Sequence, residues 1–177
     1  MHVQKKEYRL VILLVIVISI IAFFIARARP EIKIVYPEQD TILSQEDFSV
    51  NINGHVLQVG SESREKVIEL LPEGKMLGRS TVYQLDNPYC LLTFTRDEEI
   101  LIKVHIEDSE VSTHRGNKVG NSFPEIQEKY GEYFTCVSKT GQDEDFDAIY
   151  GTNNENSISF QVRGNRVSRI ILQKELS

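Results

Sequence analysis

The sequence has no tryptophan, only two cysteines, and a single alanine after residue 30 among its 177 residues. Two cysteines are too few for a disulfide framework or for a zinc site built on cysteine ligands. Because alanine is the strongest helix former, its near absence beyond residue 30 favours a strand-rich domain.

Basic residues are scarce over most of the chain. The net charge is −6 overall, but residues 1–29 carry a net +4 and residues 30–177 a net −10. Such an acidic domain lacks the basic face that nucleic-acid binding requires, so no nucleic-acid partner is expected. Its hydrophobic content is too high for a disordered stalk, and its length is sufficient for one core or two small ones.

One long apolar run is present, from Leu10 to Ala26, and Ser19 is its only polar residue. As a helix the run is about 26 Å long, close to the roughly 30 Å of a bilayer core. Arg9 and Arg27 flank it and can snorkel towards the lipid headgroups. The pattern predicts that residues 1–29 form a retained signal-anchor, a transmembrane helix whose partner is the bilayer.

Two alternatives and the orientation stay open at this point. Ala26-Arg27-Ala28 fits the small-x-small pattern of a signal peptide cleaved after Ala28, and a buried helix of a soluble protein is the third interpretation. Basic residues flank both ends of the run, so the positive-inside count is nearly even. Since long C-terminal domains are translocated largely regardless of charge, we expect a single-pass membrane protein with a cytoplasmic N-terminus and an extracytoplasmic domain.

The remaining chain reads as a linker or first strand over residues 30–46 and an α+β domain over residues 47–177. Strand candidates alternate apolar and polar residues, and Asn53-Gly54 and Gly164-Asn165 are signals for tight hairpin turns. The strand candidates span residues 47–53, 55–59, 81–85, 89–95, 99–107, 133–137, 146–150, 157–162 and 166–173.

Two short helices are predicted from capping signals. Ser63 is a natural N-cap for a helix that ends before Pro72, although Lys66 occupies the place of the capping-box acid. Ser122 is an N-cap with the capping-box acid Glu125 three residues on, and Gly131 ends this second helix.

The two capped segments resemble one another. Residues 59–72 and 119–131 share a frame of Val-Gly, the cap Ser, a Val or Ile, a Glu, and a closing Pro or Gly. Duplication and chance similarity of capped helices both account for this frame. If the frame reflects a duplication, the chain has an α+β fold with an N-terminal transmembrane helix and two related units, about 47–111 and 112–177. We predict that each unit is a short helix packed on an antiparallel β-meander.

The segment from Ser112 to Gly131 carries a Thr-x-Arg-Gly, a Val-Gly-x-Ser and a closing Tyr-Gly. It resembles a motif of uncharacterised exported or membrane-anchored Firmicutes proteins. The two-unit arrangement is similar to β-lactamase-inhibitor-protein-like domains and to outer-membrane assembly lipoprotein domains. Those domains bind or scaffold proteins. This chain departs from the lipoprotein members because it lacks a lipid-acceptor cysteine.

The resemblance implies roles for several residues. Gly60, Gly116, Gly120 and Gly131 would be turn residues, because glycine adopts positive φ without steric cost. Arg115 would either contact a protein partner or serve as an ion-pair partner within its loop.

The sequence contains two candidate metal sites, and neither has a complete set of ligands. His105 and Glu107 would lie on one face of a strand, with His114 nine residues beyond His105, but a third ligand of suitable geometry is not evident. The acidic run over residues 143–147 matches the first three ligand positions of an EF-hand loop, but Ala148 replaces the required Gly and Asn154 replaces the closing Glu. We expect no metal and no cofactor.

Cys90 and Cys136 each lie in an apolar strand candidate. They are either two buried free thiols or a disulfide formed outside the cell. Neither lies at a helix start beside a basic group, so a nucleophilic cysteine is not indicated.

The sequence therefore predicts a non-enzymatic protein-binding or scaffolding module at the cell envelope, with an unidentified protein partner and no catalytic residue. One alternative is an envelope hydrolase that uses carboxylates such as Glu107 and Asp108. Another is a sensor or regulatory subunit whose membrane segment pairs with another span.

Overall fold

The fold is described from a computed structural model that covers residues 14–20, 31–151 and 156–175. The chain divides into two compact units, residues 1–31 and residues 32–177. In the first unit, residues 14–20 are helical. The second unit holds all the strands of the described chain.

The second unit contains twelve strands, two α-helices and one 3₁₀ turn among its described residues. The strands are β1 (Ile32–Val35), β2 (Ser49–Ile52), β3 (His55–Gln58), β4 (Lys75–Met76), β5 (Val82–Asp86), β6 (Tyr89–Phe94), β7 (Leu101–Ile106), β8 (Ser112–Thr113), β9 (Thr135–Lys139), β10 (Phe146–Tyr150), β11 (Asn156–Arg163) and β12 (Arg166–Lys174). The helices are α1 (Arg64–Leu70) and α2 (Phe123–Tyr130), and the 3₁₀ turn spans Glu46–Phe48.

Nine strands form one antiparallel sheet in the order β1-β9-β10-β11-β12-β7-β6-β5-β4. Two meanders, β4 to β7 and β9 to β12, meet where β7 pairs with β12. Alternate residues of the central strands are buried, as in β6, where Cys90, Leu92 and Phe94 are buried. This period of two places the apolar side chains of each strand on one face of the sheet.

The core lies on that buried face. The three-stranded sheet β3-β2-β8 contributes Val50, Ile52 and Leu57 to the same cluster of buried side chains. Helix α1 contributes Val67, and α2 packs Tyr130 against Phe160 of β11 with ring centroids 5.2 Å apart. Both helices and the small sheet therefore share one core with the large sheet.

The segments that precede the two helices make the same set of backbone hydrogen bonds. Before each helix, three residues form backbone hydrogen bonds with the start of a strand. They are a glycine with φ near +90°, the residue before the cap serine, and the first helical residue. The bonds at α1 are Gly60 N to Leu101 O (2.7 Å), Leu101 N to Glu62 O (2.8 Å) and Arg64 N to Glu99 O (2.8 Å). Those at α2 are Gly120 N to Val167 O (2.8 Å), Val167 N to Asn121 O (2.9 Å) and Phe123 N to Asn165 O (3.1 Å).

The predicted fold class is wrong. Strands, rather than a transmembrane helix and two helix-on-meander units, dominate the described chain, and both meanders belong to a single nine-stranded sheet. No helix among residues 14–20, 31–151 and 156–175 is both long and apolar enough to cross a membrane. The rest of the predicted span, residues 10–13 and 21–26, lies outside the described residues. The α+β character with antiparallel sheets is confirmed, and the division into units at residue 111 stays a prediction.

Two predicted turns agree with the structure, and one predicted strand boundary differs from it. Asn53-Gly54 joins β2 to β3 and Gly164-Asn165 joins β11 to β12, and all four residues have positive φ, as the predicted tight turns require. The segment 30–46, left open as a linker or a strand, contains β1. The strand predicted from residue 47 begins instead at Ser49, because residues 46–48 form the 3₁₀ turn.

Candidate functional site

Arg115, the candidate partner contact, forms an ion pair with Asp47. Its Nε lies 2.5 Å from Asp47 Oδ1, and its Nη2 donates to Asp47 Oδ2 at 2.7 Å. Asp47 belongs to the 3₁₀ turn, and its side chain is only 1% exposed. Ser44 donates to the same carboxylate from its backbone N–H at 2.8 Å and from its hydroxyl at 3.1 Å. The buried carboxylate is thus held on both oxygens.

Arg115 also fixes the end of α2. Its Nη1 donates to the carbonyl of Lys129, and Lys129 Nζ donates in return to the carbonyl of Arg115 at 2.8 Å. The guanidinium lies 4.4 Å from the centroid of the Tyr130 ring, a cation–π distance. All three guanidinium nitrogens are therefore engaged within the fold, and a contact of Arg115 with a protein partner stays a prediction.

The ion pair sets the protonation of both groups. Burial raises the pKa of Asp47, but the hydrogen bond from Arg115 and the bonds from Ser44 outweigh burial and hold the pKa below its ordinary value. The hydrogen bond to Asp47 raises the pKa of Arg115. Burial raises the pKa of Tyr130 to about 12. Around neutral pH the carboxylate and the guanidinium are therefore charged, and the phenol is neutral.

The predicted cap and turn residues lie at the helix ends and loops. Ser63 Oγ accepts the backbone N–H of Lys66 at 3.2 Å, and the Glu125 carboxylate accepts the Ser122 N–H at 2.7 Å. The glycines all have positive φ: Gly60 (+91°), Gly116 (+73°), Gly120 (+93°) and Gly131 (+87°). These residues shape the loops around α1 and α2 and bring no reactive groups together.

The two candidate disulfide cysteines are both free thiols. Cys90 lies on β6 and Cys136 on β9, and four other strands separate them in the sheet order. Five strand spacings amount to about 24 Å along the sheet. A disulfide needs Cα atoms about 4.4–6.8 Å apart, so the two thiols are not bonded to each other in this fold.

The candidate metal and hydrolase residues are occupied by structural contacts. Glu107 forms an ion pair with Arg169, and Asp108 Oδ1 accepts the backbone N–H of Glu110 at 2.9 Å. His114 Nε2 lies 3.5 Å from Glu46 Oε2, in the turn that follows β8 of the small sheet, whereas His105 lies on β7 of the large sheet. Burial, followed by the charges of Lys103 and Arg169, lowers the pKa of His105. Within the described part of the chain, no group of three or more His, Cys, Asp or Glu residues could hold a metal ion.

The acidic run over residues 143–147 is a hairpin loop and the start of β10. Asp145 Oδ1 accepts the backbone N–H of Gly164 at 3.1 Å, and Asp147 pairs with Arg163 at 3.1 Å. These carboxylates hold the neighbouring hairpin β11–β12 rather than converging on one point.

A surface that the sequence did not indicate lies at the β1 end of the large sheet. We define the edge surface as Ile32, Ile34, Tyr36, Val137 and Ile149. Ile32, Ile34 and Tyr36 are 64%, 49% and 73% exposed. Ile34 lies opposite Val137, and Ile149 lies opposite Thr135, so all five side chains project from the face of the sheet that is turned away from the core.

Two cavities that share Val137 in their linings lie along the edge surface. One, of about 280 Å³, is lined by Ile34, Tyr36, Thr135, Val137 and Ile149 together with Gly151 and Ser157. The Thr135 hydroxyl in this lining is buried and has no hydrogen-bond partner among the described residues. The other cavity, of about 330 Å³, shares Val137 and continues past Ile32 to the charged pair Asp147 and Arg163. The apolar character ends at β11, which presents Ser157, Ser159 and Gln161 on this face.

The edge surface was missed because its first three members, Ile32, Ile34 and Tyr36, are 100 or more residues away in the chain from Val137 and Ile149. The alternation of Ile32 and Ile34 was visible, but not its pairing with Val137. Comparisons with protein-family models, curated proteins and solved structures return no match to this chain. The resemblance to Firmicutes proteins and to the two domain types stays a prediction.

The first prediction concerns the ion pair. Arg115→Ala should lower the free energy of unfolding by about 3–5 kcal/mol, because it leaves the Asp47 carboxylate buried without its cation. Arg163→Ala is the matched control: its partner Asp147 is partly exposed, so we expect about 0–1 kcal/mol. Urea unfolding followed by tyrosine fluorescence measures both, and equal losses would show that burial does not set the strength of the Asp47 pair.

The second prediction concerns pH. The lowered pKa of Asp47 means that its contribution to stability is present above the ordinary aspartate pKa and is lost as pH falls through the lowered value. In Arg115→Ala, burial dominates and the ionised carboxyl destabilises the fold. The difference in unfolding free energy between the native chain and Arg115→Ala should therefore narrow as pH falls from 7 to 3. A difference that is constant over this range would contradict the assignment.

The third prediction concerns the thiols. Cys90 is fully buried, and burial, with the charges of Asp108 and Glu73, raises its pKa to about 12. Cys136 is half-buried, and burial raises its pKa as well. An aromatic disulfide reagent should titrate one thiol per folded chain at neutral pH, slowly and at Cys136, and two thiols in urea. A Cys136→Ser chain should show none when folded; reaction of Cys90 in that chain would mean that β6 opens readily.

Proposed function

We propose that this chain is a non-enzymatic protein-binding module of the cell envelope, and that the edge surface is where the partner binds. The single observation that carries the proposal is the apolar group Ile32, Ile34 and Tyr36, exposed beside an open strand edge. Contiguous apolar side chains on a folded domain mark interaction sites more often than isolated ones do. The adjoining cavities give a partner side chain room to enter.

The polar surroundings support the same interpretation. Ser157, Ser159 and Gln161 bound the apolar group on one side, and Asp147 and Arg163 lie beyond Ile32. A central apolar area with a polar rim is the usual composition of a protein–protein interface.

The proposed location rests on the N-terminal segment. Residues 14–20 are helical. Apolar residues among them, such as Leu14 and Ile18, have more than half of their surface exposed. A helix that is apolar on all sides is stable only in apolar surroundings. We propose that residues 10–26 associate with the lipid bilayer at the cell membrane, with the N-terminus in the cytoplasm and the acidic domain outside.

The hydrolase alternative has less support. Its candidate carboxylates, Glu107 and Asp108, accept contacts from Arg169 and from the backbone, which is the arrangement of groups that stabilise a fold. No observation favours the sensor or regulatory subunit over a binding module.

The fourth prediction tests the binding surface in cells. A photo-reactive phenylalanine analogue in place of Tyr36 should give a discrete covalent adduct upon irradiation of intact cells. The matched control places the same analogue at Val56 of β3, which is also an exposed apolar strand residue, and should give none. Ile34→Lys should abolish the Tyr36 adduct because a charge would be buried in the interface, whereas Val56→Lys should leave it. An adduct that is unaffected by Ile34→Lys, or no adduct at all, would overturn the proposal.

A further inference from the structure

The strand β1 is an open edge of the large sheet. Among the residues that the structure describes, its one neighbour in the sheet order is β9, so half of the backbone N–H and C=O groups of β1 point away from the sheet. Unpaired groups of this kind accept an additional strand. At the opposite edge, β4 has only two residues, which gives little length for pairing.

The edge at β1 has few of the features that prevent strand addition. Its register with β9 is regular over all four residues, and the strand contains no proline. Lys33 is the only charged residue from Ile32 to Tyr36, and Pro37 follows only after this segment. Natural edge strands are usually shortened, bulged or charged to prevent pairing. The segment from Ile32 to Tyr36 is therefore competent to pair.

We propose that the strand added at this edge is β1 of a second copy of the chain, in a symmetric antiparallel dimer. This inference rests on the proposed function, since it names the partner of the edge surface. A two-fold axis at Ile34 places Ile34 opposite the partner subunit's Ile34 and Ile32 opposite the partner subunit's Tyr36. Lys33 then lies opposite the partner subunit's Val35. The two apolar groups join into one surface on the outer face.

Self-complementarity is the reason for choosing a second copy. Because apolar residues alternate at positions 32, 34 and 36, a copy offers on its own strand the side chains that this edge can cover. Two neighbouring registers also keep the same faces together. The one centred on Val35 places Lys33 opposite Pro37, which has no backbone N–H to donate. The one centred on Lys33 places two lysines directly opposite, which is destabilising. The register centred on Ile34 avoids that repulsion.

A pairing of five residues is small, well under the roughly 1,200 Å² that stable interfaces bury. Copies held on one membrane through residues 10–26 would meet at a raised effective concentration, which compensates for a small interface. Since each domain carries a net charge of −10, salt screens the repulsion between copies and should strengthen the dimer.

The test uses the full chain in membranes, with Cys136→Ser as background so that the buried Cys90 is the only native thiol. Ile34→Cys should form a disulfide dimer under mild oxidation, because the two-fold axis brings the two introduced thiols together. Val56→Cys, on an exposed strand of the small sheet, is the matched control and should stay monomeric. Lys33→Cys should give at least fivefold less dimer than Ile34→Cys; an equal or greater yield would overturn the proposed register.

A second substitution tests whether the interface is apolar. In the Ile34→Cys chain, Tyr36→Lys should lower the dimer yield at least fivefold, whereas Ile42→Lys, at an exposed position outside the edge surface, should not. Protection of Cys90 from a thiol reagent shows that each variant is folded. Equal yields from both lysine variants would overturn the dimer.

The adduct at Tyr36 separates this inference from the proposed function. An adduct with twice the mass of the chain supports both. An adduct of another mass supports the binding module and overturns the second copy as its partner. No adduct overturns both.

Discussion

The ion pair between Asp47 and Arg115 is the constraint on which the arrangement of the domain depends. It joins the turn that precedes β2 to the loop that precedes α2, over a separation of 68 residues. Through its bond to Lys129 and its contact with Tyr130, the same guanidinium holds the end of α2 against the aromatic cluster of the large sheet. A buried carboxylate is costly without its cation, so these elements are stable only when they are assembled together.

The matched helix entrances show a second constraint. Gly60 and Gly120, with nearly equal φ angles, bond to Leu101 and Val167 at the starts of β7 and β12. Because β7 and β12 pair with each other, both helices are attached close to the junction of the two meanders. The junction is thereby fixed at the centre of the sheet. Within the described part of the chain, the β1 edge, four strands from β12, has neither a helix attachment nor a second strand neighbour.

Much of the local structure could be predicted, because its causes are local. The pairs Asn53-Gly54 and Gly164-Asn165 determine tight turns, and Ser63 and Ser122 determine where the helices begin. Pairing between distant strands has no such signal: nothing near Ile34 indicates that Val137 will lie beside it. The two-residue strand β8 is too short to show an alternating pattern. Arg115 could be identified as an ion-pair candidate, but its partner could not, because Asp47 lay within a predicted strand.

The same limit explains why the candidate surface emerged only from the fold. The edge surface is assembled from three strands, and β1 and β9 are separated by about a hundred residues of chain. Its apolar side chains would be read in the sequence as ordinary core residues. Only the sheet order shows that Ile32 and Ile34 remain exposed while most other apolar strand residues become buried.

Hydrogen exchange of the β1 amides tests the central claim, that this edge pairs with another strand, most directly. The full chain would be reconstituted in vesicles at decreasing lipid-to-protein ratio, and the exchange of residues 32–36 compared with that of β3. Pairing between copies predicts that exchange in residues 32–36 slows as the copies become more concentrated, while exchange in β3 stays the same. Exchange of residues 32–36 that does not change with the density of the chain in the membrane would contradict the account.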